Sequence, residues 1–370
     1  MQIDALRQRL RAAGAGPGHA QRVLRRWLQA LPQEGGRRRI ESFLPQTLLQ
    51  ALPALEADLA GLVQLVSEHP GADGSARLLL RLADGQTCES VLLAPGRIPG
   101  LCVSTQIGCA VGCRFCMTGR EGLIRQLGSA EIVAQVALAR RLRPVSKVVF
   151  MGMGEPAHNL DNVMEAIELL GSEGNIGHKN LVFSTVGDLR VFERLPQGPV
   201  KPALALSLHT TRDELRAELL PRAPRIAPAD LVEMGEAYAR ATGYPIQYQW
   251  TLLDGINDTD DEVQGIARLL RGKYAVMNLI PYNTVPELPY RRPAWERAVA
   301  MARALHRLGV LTKLRRSAGQ DVDAGCGQLR ARERTGDSRP VRAPASRRTI
   351  PPIVPATEAL IPSATERSAP

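Results

Sequence analysis

Between residues 76 and 93 the apolar positions recur every second residue. They run through Ala76-Arg-Leu-Leu-Leu-Arg-Leu82 and Glu89-Ser-Val-Leu-Leu93, on either side of an Asp84-Gly85 turn. A period of two around such a turn predicts a β-hairpin. Upstream the period lengthens. Residues 20–31 carry Val23, Leu24, Trp27, Leu28 and Leu31 on one face, with Arg22, Arg25 and Arg26 largely off it, and predict an amphipathic helix. Gly35-Gly36 breaks the pattern and Arg37–Arg39 follow; residues 43–65 then read as one or two short helices punctuated by Pro45 and Pro53.

From residue 101 to 330 short apolar runs alternate with helical periods. Strands are predicted at 102–106, 148–151, 180–184, 203–207, 246–251, 276–280 and 310–314. Helices are predicted at 129–142, 162–170, 228–241, 260–270 and 293–308. Strand and helix repeated about six times make an α/β fold with a parallel sheet. Polar residues stand just after almost every strand, which suits a closed or partly closed barrel better than an open doubly wound sheet; periodicity alone does not separate the two. The predicted organisation is a basic helical accessory module (1–65), a β-hairpin extension (66–95), a catalytic domain (96–330) and a disordered Pro- and Arg-rich tail (331–370).

Composition changes this picture in two ways. Lys plus Arg number 47 against 37 Asp plus Glu, a formal net charge of +10, which suits an anionic partner. Nucleic acid comes before membrane, because no basic amphipathic anchor and no run of eighteen apolar residues occurs. With no apolar secretory segment at the start, the reading is a cytoplasmic protein. The N-terminal module then reads equally as a solvated cap or as an RNA-contacting appendage. The second change comes from the cysteines, at 88, 102, 109, 113, 116 and 326. Four of six within fifteen residues is the distribution of a metal site rather than of disulfide staples.

Cys109-Ala-Val-Gly-Cys113-Arg-Phe-Cys116 places three thiols on a loop after a strand. Zinc sites want four ligands, and no histidine lies nearby. A [4Fe–4S] cluster normally takes four cysteines, so three local ones leave one iron open to a small molecule. The iron–sulfur reading is the stronger, with zinc and ordinary thiols behind it.

This CxxxCxxC resembles the signature of the radical S-adenosylmethionine (SAM) superfamily. Around it, Leu101-Cys102-Val-Ser-Thr-Gln-Ile-Gly-Cys109, Gly152-Met-Gly154-Glu155-Pro156 with Asn159, and Ser207-Leu208-His209 resemble the RlmN/Cfr family of radical SAM RNA adenine methyltransferases. So do Asn278-Leu-Ile-Pro-Tyr-Asn283 and Asp323-Ala-Gly-Cys326-Gly-Gln-Leu. The resemblance implies a partial (β/α)6 barrel and methylation of C2 of an adenosine in 23S ribosomal RNA, with transfer RNA as a further substrate. Methylation at C8, or of a different RNA adenosine, is the chemical alternative; a non-catalytic iron–sulfur RNA-binding protein is the alternative of another class.

The family's roles carry over residue by residue. Cys109, Cys113 and Cys116 would hold the [4Fe–4S] cluster. Gly154, Glu155, Ser184, Ser207, Leu208, His209 and Asn283 would hold SAM. Cys326 would carry the methyl group, Cys102 would resolve the protein–RNA adduct through a transient disulfide, and Glu89 would be the general base. A reducing partner such as flavodoxin or ferredoxin is implied, acting on a monomer. By its residues alone Glu89 reads as an exposed hairpin carboxylate, and Cys88 as a spare or buried thiol. Arg114, Arg120 and Arg125 around the cluster loop read as phosphate contacts or as a solvated rim, and Arg315-Arg316 as the better phosphate contact. The sequence departs from the family where Ala318-Gly319-Gln320-Asp321 replaces the usual Arg-Gly-Asp-Asp/Glu, and at Gly325, where the family has alanine.

Overall fold

A computed structural model describes residues 1–34, 39–120 and 122–331. The predicted tail beyond Ala331, and Arg37 and Arg38 of the arginine run, lie outside the described residues. Three helices open the chain: α1 (Ile3–Ala12), α2 (Pro17–Leu28) and α3 (Gln46–Gly61). Helix α2 begins three residues before its apolar period does, because Pro17 suits a first turn whose N–H groups have no helical partner. Pro53 lies inside α3 rather than ending it; Leu48, Leu52, Leu55 and Leu59 bury one face and hold the helix through the proline.

Strands β1 (Val63–Pro70), β2 (Ala76–Leu82), β3 (Thr87–Leu92) and β4 (Gly100–Cys102) follow in an antiparallel succession. Strand β1 is not visible in the apolar period, since Gln64, Ser67, Glu68 and His69 interrupt it. The predicted strand at 102–106 divides in two. Cys102 ends β4, and Gln106 begins β5 (Gln106–Gly108), which pairs with β6 (Leu123–Gln126) in a separate small ladder.

The parallel part then runs through α4 (Ser129–Leu142), β7 (Lys147–Phe150), α5 (Leu160–Ser172), β8 (Leu181–Thr185), α6 (Leu189–Arg194) and β9 (Ala203–Ser207). It continues with α7 (Asp213–Leu219), α8 (Pro228–Thr242), β10 (Ile246–Leu252), α9 (Asp260–Leu270), β11 (Ala275–Pro281), α10 (Trp295–Arg307) and β12 (Thr312–Leu314). One sheet results, in the order β1-β2-β3-β4-β7-β8-β9-β10-β11-β12. From β4 to β12 all pairings are parallel, and β12 pairs with β11 alone, so the barrel is partial and has an open seam. Strands such as Leu181-Val-Phe-Ser-Thr185 and Ala203-Leu-Ala-Leu-Ser207 are apolar nearly throughout, as strands covered on both faces must be.

Residues 315–331 cross the seam. The Gly319 N–H donates to Asp73 Oδ2 at 3.0 Å, and the Ala72 N–H donates to Asp321 Oδ2 at 2.8 Å. Arg77 Nε–H donates to the Val322 carbonyl at 2.8 Å, and the Arg330 N–H to Glu89 Oε2 at 2.9 Å. Four bonds thus tie the end of the barrel to the antiparallel strands at its beginning. No helix among the described residues is long and apolar enough to cross a membrane.

Candidate active site

The three clustered cysteines sit in the segment that β5 and β6 bracket. Closing that ladder needs glycine at 108: its φ is +73°, and a Cβ there would lie 2.0 Å from the Gly122 carbonyl oxygen. Inside the bracket the Val111 and Gly112 N–H groups face Cys109 Sγ, and those of Thr118 and Gly119 face Cys116 Sγ. Such donors favour thiolates. Burial opposes them and pushes the Cys109 thiol up to about 12, with Glu155 and Cys116 adding to it; Cys113 is likewise raised by burial, then by Cys116 and Cys109. Three mutually repelling buried thiols gain most from a cationic centre among them. They line one cavity, yet among the described residues no three His, Cys, Asp or Glu side chains close on a single ion.

The cavity, of ≈ 160 Å³, is walled by Cys109, Cys113, Cys116, Gly154, Glu155 and Ser184, with Ser207, His209 and Cys326 completing it. Cys109, Cys113 and Cys116 come from the loop between β5 and β6, and Gly154, Glu155, Ser184, Ser207 and His209 from the ends of β7, β8 and β9. Gly154 has φ +100°, and a Cβ on it would stand 2.5 Å from Gln106 Cβ, so the backbone approaches the cavity as only glycine can. Beside it, Glu155 receives the Ala157 and Val186 N–H groups, each at 3.0 Å. Burial pushes its carboxyl up to about 7 against these bonds and one from Thr185. His209, with φ 64°, accepts the Thr251 N–H on Nδ1 at 3.0 Å. Burial, and then Arg216, hold its pKa down at about 3, so the ring is neutral and carries its proton on Nε2. Its ring meets Phe115 edge-on at 4.9 Å.

Two of the SAM-binding candidates stand elsewhere. The Leu208 side chain is fully buried, and its N–H donates to the Gln249 carbonyl. Asn283 donates through Nδ2 to Ser317 Oγ at 2.9 Å and to the Cys326 carbonyl at 3.0 Å, bracing the loop that bears the last cysteine. Its buried Oδ1 makes no hydrogen bond among the described residues. In the cavity itself, the neutral His209 donor, the Gly154 backbone and the Glu155 carboxyl suit a ligand with both amino and polar oxygen groups.

Cys326 arrives from the seam-crossing segment. The Met117 N–H donates to the Gly327 carbonyl at 2.8 Å, and Thr118 Oγ1–H to the Leu329 carbonyl at 2.7 Å. The loop is therefore docked on the cluster loop itself. Cys102 ends β4, in register with Val91 of β3 and Val149 of β7. Its thiol is raised by burial, and next by the charge of Cys326. Glu89 stands on the same face as Val91, fully buried and paired with Arg77 rather than exposed on a hairpin. The antiparallel strands and the Arg330 N–H enclose it, and a two-residue period carries no sign of such a cover. Cys88, on the other face of β3, belongs to the core.

Arg77 and Arg216 were not legible as partners of the site. Arg216 is buried on α7, donating to the Val186 and Ser207 carbonyls beneath the cavity. An arginine near the start of apolar β2, between Ala76 and Leu78, is the one signal the sequence offers for Arg77. Of the rim arginines, Arg125 is engaged by Asp84 at 2.7 Å and Glu131 at 2.9 Å, while Arg114 and Arg120 remain exposed. In the N-terminal module Arg25 pairs with Glu173 at 3.1 Å, and Arg22 lies over Phe43.

A partial parallel barrel with a three-cysteine loop at its mouth defines the radical SAM class, and the radical SAM superfamily model matches residues 103–270. A probable RNA methyltransferase of Leptothrix cholodnii is 75% identical over 339 residues, 92% of this chain and 97% of that one. One from Azoarcus sp. (strain BH72) is 71% identical, covering 94% and 99%. The crystal structure of a radical SAM methyltransferase from Sphaerobacter thermophilus superposes with a TM-score of 0.78 at 36% identity, over 90% of this chain and 98% of that one. The chain belongs to this family of radical SAM RNA methyltransferases.

Proposed function

We propose that the protein methylates C2 of an adenosine in RNA, 23S ribosomal RNA first and transfer RNA second, through an S-methylated Cys326. The observation that carries the reading is the docking of the Cys326 loop on the cluster loop, which brings a thiol from the far end of the chain to the wall of the cysteine cavity. Carbon 2 of adenine is not nucleophilic, so a direct methyl transfer to it is closed, and a sulfur carrier divides the task into two steps.

Cys109, Cys113 and Cys116 would hold a [4Fe–4S] cluster, and Gly154, Glu155, Ser184, Ser207 and His209 would surround SAM, with Leu208 packed behind them and Asn283 holding the Cys326 loop. When bound, these groups supply one electron, a methyl group and hydrogen-atom abstraction. The chain's own residues do the rest. The Cys326 thiolate takes the methyl group, forming S–CH3. After its carbon joins the base, the adduct must return its unpaired electron to the cluster, and a Glu89 carboxylate oxygen takes the proton from that ring carbon. The Cys102 thiolate attacks Cys326 Sγ, the S–CH2 bond breaks, the released carbon takes a proton, and a Cys102–Cys326 disulfide remains. Glu89 is covered in the present arrangement by Arg77 and Arg330, so its turn comes when the Cys326 loop lifts. A flavodoxin- or ferredoxin-type protein would supply the electron to a monomeric enzyme.

The test uses anaerobic protein with its cluster, SAM, reductant and ribosomal or transfer RNA. Nucleoside mass spectrometry should find 2-methyladenosine, and Cys102→Ala should accumulate RNA crosslinked to Cys326. RNA methylation by Cys326→Ala would defeat the reading.

A further inference from the structure

Three cations face the barrel lumen from the two sides of its seam. Strand register fixes which way they point, because residues paired across a parallel ladder share a face. Lys313 of β12 pairs with Asn278 of β11, which pairs with the cavity-lining Gln249 of β10. Arg315 follows Lys313 by two. Lys147 begins β7, two residues before Val149, whose partner Val182 precedes the cavity residue Ser184 by two. These side chains therefore stand on the cavity's own face of the sheet.

Arg315 Nε–H donates to Asn278 Oδ1 at 2.9 Å. A guanidinium can only donate, so this bond turns the amide oxygen toward it and the NH2 group away. Asn278 is 1% exposed, and its Nδ2 makes no hydrogen bond among the described residues. The group offers only donors: two ammonium ions, a guanidinium and an amide. Among the described residues no carboxylate pairs with Lys147, Lys313 or Arg315. Lys147 is half-buried, and its pKa is lowered by burial, then by Arg315 and Lys313. Arg316, the next residue, instead stacks outward on Trp295 at 4.9 Å. A half-buried Lys147 beside two further cations and a buried, unsatisfied amide donor is unfavourable in the free protein and becomes favourable around an anion.

We infer that Lys147, Lys313, Arg315 and Asn278 bind a backbone phosphate of the substrate RNA, next to the nucleotide whose base enters the cavity. The inference rests on the RNA reading above. Lys313 and Arg315 are exposed, so a phosphate reaches them from outside, and strand register sets Asn278 beside the cavity-lining Gln249. A phosphate offers several acceptor oxygens to match these donors.

The experiment compares the full-length, cluster-containing protein with Lys147→Gln, Lys313→Gln and the double variant. Binding is followed with a fluorescent RNA stem–loop carrying an unpaired adenosine, across a salt titration. The double variant should bind about tenfold or more weakly near 0.1 M salt, and its log–log salt slope should fall by about 0.7 per lysine that meets the single strand. Its melting temperature without RNA should equal or exceed that of the unaltered protein, since repulsion is relieved; this excludes misfolding as the cause. Unchanged RNA affinity and slope in the double variant would overturn the inference. So would a matching loss of SAM affinity, which would assign the donors to the SAM carboxylate. Failure of the unaltered protein to bind the stem–loop would instead strike the RNA reading itself.

Discussion

The cluster loop and the Cys326 loop meet at one cavity but are built on different terms. The first is closed by its own neighbours, since β5 and β6 bracket it within twenty-one residues and its backbone N–H groups turn on its own sulfurs. The second has short-range turns of its own, such as the Gly325 N–H donating to Gln328 Oε1 at 2.9 Å, but is anchored from a distance. Asn283, Asp73, Arg77, Glu89 and Thr118 hold it from four other parts of the chain. A loop that must keep a fixed cofactor is specified locally. The Cys326 loop is held at several distant points, each of which can let go, as the proposed role of its sulfur would require.

The largest expected effect separates the two loops by composition of the product. Cys113→Ala should lose cluster iron and with it all SAM cleavage, a fall of at least about a thousandfold, measured by iron analysis and 5′-deoxyadenosine release. Cys326→Ala should keep both and lose only methyl transfer. Loss of iron from Cys326→Ala would erase the distinction between a cofactor loop and a reactive loop.

The next test loosens the distant supports. Arg77→Leu removes the partner of a fully buried Glu89 and a bond to Val322, and should cost about 3–5 kcal/mol in denaturant unfolding. Glu89→Gln in the same protein should recover part of it, because no unpaired charge then remains. Additive losses would mean that the two groups do not act as a pair.

The smallest effect concerns the cavity that both loops share. The Glu155 carboxyl titrates near 7 because burial disfavours its charge, and only the ionised form attracts the ammonium of SAM. Affinity should therefore rise with pH, by about tenfold between pH 6 and pH 8, as the ionised fraction grows. Glu155→Gln should flatten that profile. A flat profile in the unaltered protein would separate Glu155 from the SAM site.

The same contrast explains what could be read from the chain. Helices α4 and α9 match their predicted spans, 129–142 and 260–270: α9 follows a local amphipathic period, and α4 is a run of strong helix formers buried nearly all round. The three cysteines needed only their spacing. Glu89 was misread on its residues alone: its cover comes from Arg330, 241 positions away, and nothing near it announces that. The role of Asn283 in holding the Cys326 carbonyl was equally hidden, although the residue itself was picked out. Strand β1 escaped because it is a partly exposed edge strand, where a single covered face and a bulge between Leu65 and Ser67 blur the alternation.

The seam-crossing bonds also order events in the life of the chain. Asp73 meets Gly319 across 246 positions, and Arg77 meets Val322 across 245. A ribosome making this protein releases the cluster loop, both sheet halves and every cavity strand before residue 319 emerges. Contacts of such separation form late. The cysteine-rich half of the site can thus take shape on a nascent chain that still lacks Cys326, and the cavity is completed only when the segment after β12 is laid across the gap.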